Sequence, residues 1–180
     1  MDSETSGERP PNYPTELEDV VDLADGRRVW VRPICPSDAP DLAAAIQTAD
    51  RETLIHRFFT AAPHLSDKQI HYLAAVDYRR RLALVAIDED GRGVAIARYE
   101  SYADSDAAEV AVVVAPEWRR QGLATELVRR LEAPARRNGV VSFDAVYLPD
   151  NRAVAEVFRH LDYSDQQIED GLCRVEKALV

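Results

Sequence analysis

The residues with the most chemistry in them form one run: Val112-Val113-Val114-Ala115-Pro116-Glu117-Trp118-Arg119-Arg120-Gln121-Gly122-Leu123-Ala124-Thr125. An apolar strand runs into a basic loop, then a single glycine, then helical spacing at Leu123, Leu127 and Leu131. That order aims backbone N–H groups and the positive end of a helix at one point, which suits a phosphate. Gly122 lets a ligand approach the backbone closely. Ala124 keeps the next turn clear, and Thr125 adds a hydroxyl donor. The Gly-Lys-Ser/Thr ending of a nucleoside-triphosphate loop is absent, and one glycine does not make a dinucleotide fingerprint.

Glu109 opens the same strand and shares a face with Ala111 and Val113 by parity. Residues 110–115 are all apolar. Apolar surroundings raise the proton affinity of a carboxylate, which suits proton abstraction, although residue type alone is equally compatible with a solvated strand start. His56, His64, His71 and His160 lack metal-ligand spacing, so no metal is expected. Asp150 and Asn151 both suit the cap of the helix that follows them. Trp30 and Trp118 read as packing residues, and Arg79-Arg80-Arg81 as a solvated turn.

Positioning these residues takes a mixed α/β arrangement. Leu17–Asp22 and Arg27–Arg32 flank Asp25-Gly26, a hairpin signal. Ser37 suits the N-cap of a helix carrying Leu42, Ala45, Ile46 and Ala49. Arg51–Phe59 and a segment starting at Ser66-Asp67 give two more short helices. Leu82–Ile87 is apolar throughout, as expected of a strand covered on both faces. Val94–Tyr102 and Glu109–Ala115 follow it as antiparallel strands. Gly122–Asn138 is helical, and Pro134 should kink or shorten it. Val140–Leu148 is a strand, Asp150–Leu161 a helix, and two last strands flank Asp170-Gly171. The strand–loop–helix–strand section is long enough for a parallel crossover within a mostly antiparallel sheet.

The chain of 180 residues is 46% apolar, enough for one core without disulfides. No apolar run approaches the ~20 residues of a membrane span, and the acidic N-terminus does not resemble a secretory signal. The formal net charge of -10 argues against nucleic acid as a partner. Most of that charge lies in residues 1–26, where Asp2, Glu4, Glu8, Glu16, Glu18, Asp19, Asp22 and Asp25 face only Arg9. Residues 1–16 read as a disordered acidic tail, and 17–180 as the folded domain. Cys35 and Cys173 stand apart, consistent with a reduced, cytoplasmic protein.

Arg119-x-x-Gly122-x-Ala124, with Val113-x-x-Pro116 ahead of it, resembles the pyrophosphate loop of the GNAT superfamily of N-acetyltransferases. Pro149-Asp150-Asn151 through Leu161-Asp162-Tyr163 resembles that family's second signature, an Asn-led helix closing on Leu-Gly-Phe. The resemblance implies the GNAT fold and direct acetyl transfer from acetyl-CoA to a primary amine. Pantetheine would lie along Val112, Val113 and Val114, and the pyrophosphate on Arg119, Arg120, Gln121, Gly122, Leu123, Ala124 and Thr125, with Asn151 also in contact. Arg57-Phe58-Phe59, Val76-Asp77-Tyr78, Leu82–Ala86 and Ala107–Val114 resemble more closely the acetyltransferase domain of bacterial Pat-type protein-lysine acetyltransferases. That resemblance implies a protein lysine as acceptor and Glu109 as the base. A small amine acceptor, and an acyl-CoA-binding module without turnover, stand as alternatives. Two departures bear on them: Leu161-Asp162-Tyr163 replaces Leu-Gly-Phe, and Phe158 stands where many relatives carry a tyrosine acid. Nucleotide control within this chain is not expected.

Overall fold

The computed structural model describes residues 9–164 and 166–179. Strands β1 (Asp19–Asp22) and β2 (Arg28–Pro33) form the expected hairpin, with Gly26 at φ +86° in its turn. Helices α1 (Ala39–Thr48), α2 (Arg51–Phe58) and α3 (Asp67–Ala74) follow. Next come β3 (Arg81–Ile87), β4 (Gly93–Ser101) and β5 (Ala107–Val114), then α4 (Leu123–Arg137), β6 (Ser142–Tyr147), α5 (Arg152–His160), β7 (Gln167–Glu169) and β8 (Leu172–Ala178). The sheet order is β1-β2-β3-β4-β5-β6-β8-β7, antiparallel except for β5 with β6. No helix among the described residues is long and apolar enough to cross a membrane.

The apolar stripe of α4 explains its place. Leu123, Leu127, Val128, Leu131 and Ala135 recur at helical spacing and are fully buried. They pack on the sheet face that carries Tyr99 and Phe143, whose rings lie 5.6 Å apart. Asn138 fastens the helix end by donating to the Tyr99 hydroxyl at 3.0 Å. Helices α1, α2 and α3 cover the opposite face over β4 and β5. The α3 start is a capping box between Ser66 and Gln69, and α2 is capped by Asp50, which accepts from the Thr53 N–H.

Four expectations are revised. Ser37 does not cap α1: it lies inside a short 3-10 turn, Pro36–Asp38, closed by Asp38 accepting from the Cys35 N–H at 2.7 Å. Pro134 does not shorten α4, which runs on to Arg137, because the ring is buried in the core and only one backbone donor is forgone. Trp30 is 42% exposed on β2, whereas Trp118 packs. Of the expected tail, residues 1–8 lie outside the described residues. Residues 9–16 lie against the domain: Tyr13 packs edge-on to Tyr78 at 5.6 Å, and Arg9 pairs with Glu18.

Candidate active site

Strand β5 positions the site. Tyr102 donates to the Ala107 carbonyl and Ala115 donates to the Val94 carbonyl, so the odd-numbered residues of β5 bond β4. The even-numbered residues therefore turn their main-chain groups toward β6. Register with β6 ends after three pairs, Ala107 with Ser142, Ala108 with Phe143 and Glu109 with Asp144. Beyond that point the two strands part. The Val112 N–H and C=O and the Val114 N–H face the gap, while Arg119 Nε donates to the Val114 carbonyl at 3.2 Å. Extended amides such as those of pantetheine match that edge.

The gap leads to the loop before α4. The first helical bond runs from the Glu126 N–H to the Gly122 carbonyl, so the N–H groups of Gly122, Leu123, Ala124 and Thr125 lack a helical acceptor. No side chain caps them. Gly122 has φ +81°, and a Cβ built on it would meet no protein atom within 4 Å. Arg120 is also left-handed at φ +59°. The cradle is open, donor-rich and positively polarised, and it fits a pyrophosphate. From the hairpin turn, Arg27 stacks on the Trp118 ring at 3.9 Å and donates to the Glu117 carbonyl.

Arg119 has a task that sequence did not show, whereas Asn151 takes the cap role its sequence suited. Arg119 Nη2 donates to the Thr53 hydroxyl at 2.7 Å, and that hydroxyl donates to Asp50. The guanidinium thus ties the loop to α2. The Asn151 side-chain oxygen accepts from the Val154 N–H at 3.2 Å and caps α5. Phe158 is 2% exposed and packs on the Tyr147 and Tyr163 rings, 6.0 and 4.7 Å away.

Glu109 shares its face of β5 with Ala111 and Val113 as expected, but it is exposed rather than enclosed by apolar groups. The residues after it are apolar because the α4 face and the cavity face need them, and neither covers position 109. Its neighbours across the sheet are acidic. Glu100 pairs with Glu109, Glu109 with Asp144, and Asp144 with Glu176, a row of four carboxylates across β4, β5, β6 and β8. Strand spacing makes that row roughly 14 Å long. Tyr72 donates to Glu100, and Arg174 lies 3.8 Å from Asp144. The field reaches Tyr102, whose hydroxyl pKa is raised first by burial and then by the charges of Asp144 and Glu109.

The cavities lie on the same sheet face rather than in the strand gap. One of about 470 Å³ lies under α1, bounded by Arg32, Asp50, Ile96, Val113 and Pro116. A second, about 110 Å³, lies under α1 and α2 against Ile96, Arg98, Ala111 and Val113. Among the described residues no cluster of three or more His, Cys, Asp or Glu side chains is placed to hold a metal ion.

The fold and this loop define an acyltransferase of the GNAT class. The GNAT acetyltransferase domain family matches residues 28–164, and the chain belongs to it. It is similar to "Acetyltransferase PA5475" of Pseudomonas aeruginosa, 31% identical over 87% of this chain and 86% of that protein. The GNAT domain of S. lividans PAT superposes with a TM-score of 0.84 at 34% identity, covering 92% of this chain and 99% of that one. The fold is shared with yncA, a putative acetyltransferase from Salmonella typhimurium solved with its cofactor acetyl-CoA. That comparison has a TM-score of 0.67 at 20% identity over 84% of this chain and 94% of that chain. The chain is an acetyl-CoA-dependent GNAT acetyltransferase.

Proposed function

We propose that the protein acetylates a lysine side chain presented on a protein surface, in direct transfer with Glu109 as general base. The carrying observation is the row Glu100, Glu109, Asp144 and Glu176 beside the β5–β6 gap. A row of carboxylates on a partly exposed face suits a cationic acceptor that arrives on a larger body. Similarity to the S. lividans PAT domain supports the same reading. The two free cysteines, Cys35 and Cys173, fit a reducing cytoplasm.

A lysine ammonium with pKa near ~10.4 leaves about one amine in 2,500 free at pH 7. Glu109 takes the proton. The amine nitrogen then bonds the thioester carbonyl carbon, the C–S bond breaks with its electron pair leaving on sulfur, and the nitrogen sheds its second proton to that sulfur, directly or through water. A thiol pKa near ~8.5 makes the thiolate a tolerable leaving group without a tyrosine at position 158.

Incubation with acetyl-CoA and a lysate of the source cell, followed by mapping of new acetyl-lysines, tests the acceptor. Discrete lysines in basic surroundings are expected. Turnover confined to small amines would replace this reading, and no turnover on any amine would favour an acyl-CoA-binding module. Asp144→Asn with Glu176→Gln should raise KM for a lysine-rich peptide several-fold more than for a small monoamine at low salt.

A further inference from the structure

The smaller cavity has apolar walls and an unexplained pair of cations. Arg98 is 7% exposed, directly across from Ala111 on β4, and its Nη2 is buried without a hydrogen-bond partner. Its one hydrogen bond is a long contact, 3.5 Å, from Nη1 to the Leu73 carbonyl, and Glu100 stands off at 3.6 Å. Arg57, on α2, lines the same cavity. Among the described residues it makes no hydrogen bond or close ion pair; it stacks on Phe58 and feels the charges of Glu109 and Glu100 at longer range. A guanidinium has five donors, and Arg98 leaves most of its own unused beside Leu73 and Ile96, with Nη2 shut away from solvent. Burial pulls both groups below the usual arginine range. Such unmade bonds are costly and call for an acceptor from outside the chain.

The cavity lies where an acyl group arrives. The pyrophosphate cradle is at the C-terminal end of β5, so pantetheine running beside Val114 and Val112 delivers the thioester near Ala111 and Glu109. The two charge types adjoin at that point, with Glu100 3.6 Å from Arg98. The carboxylate row suits the amine, and the arginine pair suits an anion carried on a short aliphatic stem.

We propose that Arg57 and Arg98 form a carboxylate subsite for the acyl donor, so that the enzyme accepts a short dicarboxylic monoacyl-CoA such as succinyl-CoA. This rests on the site assigned above as the transferase centre. The transfer is the same in balance: Glu109 takes one proton from the ammonium, the N–C bond forms, the C–S bond breaks, and the nitrogen's second proton passes to the departing sulfur, directly or through water, to give CoA thiol. The product lysine then carries an amide ending in a carboxylate.

The test compares acetyl-CoA, butyryl-CoA and succinyl-CoA, by kcat/KM on a lysine peptide and by calorimetry without acceptor. Succinyl-CoA should bind and react at least tenfold better than butyryl-CoA, its neutral counterpart in length. Arg57→Gln and Arg98→Gln should each lower the succinyl-to-acetyl ratio at least tenfold. Arg57 is on α2 rather than within the sheet and is only partly buried, which keeps the test available if the Arg98 variant misfolds. Butyryl-CoA equal to or better than succinyl-CoA in wild type overturns the proposal. So does an arginine-dependent preference for acidic acceptor peptides with the donor ratio unchanged. Calorimetric preference for succinyl-CoA in a protein that turns over no amine would sink the transferase reading and leave the subsite standing.

Discussion

The Arg119 guanidinium reaches out of the loop before α4 to the Thr53 hydroxyl on α2, 2.7 Å away, and so joins that loop to the helix that carries Arg57. Thr53 passes the tie to Asp50 at the helix cap. Thr53→Val and Arg119→Ala should therefore be non-additive in acetyl-CoA affinity. A double-mutant cycle is expected to give a coupling of at least ~0.5 kcal/mol. Additive losses would mean that Arg119 acts on the donor without α2.

Asp50 should make this junction acid-sensitive. The Thr53 hydroxyl and backbone N–H hold its carboxyl below the usual carboxylate range. A group lowered by folding contributes stability above its unfolded pKa, ~3.9, and loses that contribution as pH falls through its folded value. Asp50→Ala should cost about 1 kcal/mol at pH 7, the ordinary worth of an N-cap. The gap from wild type should narrow below ~pH 4. Denaturant unfolding at pH 7 and pH 3 checks both; a constant gap would deny the carboxylate charge any part in the cap.

Glu109→Gln keeps the shape and removes the proton acceptor. The expected loss in kcat at pH 7 is ~10²–10⁴-fold, shrinking toward pH 10 where free amine is plentiful. A pH–rate profile of both proteins decides it, and a wild-type rate at pH 7 would move the base elsewhere, Glu100 and Asp144 being the carboxylates in register with it.

Gly122→Ala tests the loop with the least disturbance. The new Cβ meets no protein atom, so its effects come from the left-handed backbone, worth roughly 1–2 kcal/mol, and from the ligand's space. Acetyl-CoA affinity should fall at least tenfold with the circular dichroism unchanged. Binding as tight as wild type would place the pyrophosphate off this loop.

Phe158→Tyr puts a hydroxyl into a dry aromatic layer where the Tyr163 hydroxyl already lacks a partner. The expected result is a stability loss of ~1–3 kcal/mol and a change in kcat of no more than about tenfold. A hundredfold gain in kcat would show that wild type lacks an acid it needs.

Local signals carried the strands and the loop. Leu82–Ile87 is apolar at every position and reads as β3, and Arg119-x-x-Gly122-x-Ala124 announces its own cradle. What escaped was set by register. Glu100, Glu109, Asp144 and Glu176 are far apart in the chain and meet only because β4, β5, β6 and β8 align. Arg98 carries no local sign of burial, yet the helices laid over its face of β4 leave it 7% exposed. Ser37 failed as a cap because Asp38, one residue on, reaches back to the Cys35 backbone instead.

If the donor seats in the gap where β5 and β6 part after Glu109, it becomes a structural component of the protein. Pantetheine amides laid against Val112 would take the place of a missing strand and continue the hydrogen-bond ladder across the sheet. Folding and donor concentration are then linked. At a hundred times Kd the bound form gains about 2.7 kcal/mol over the free one. Amide hydrogen exchange at Val112 and Val114 should slow on saturation, while that at Ala111 and Val113, already paired with β4, changes far less. The cell's acyl-CoA pool would in this way set how durable the enzyme is as well as how fast it works.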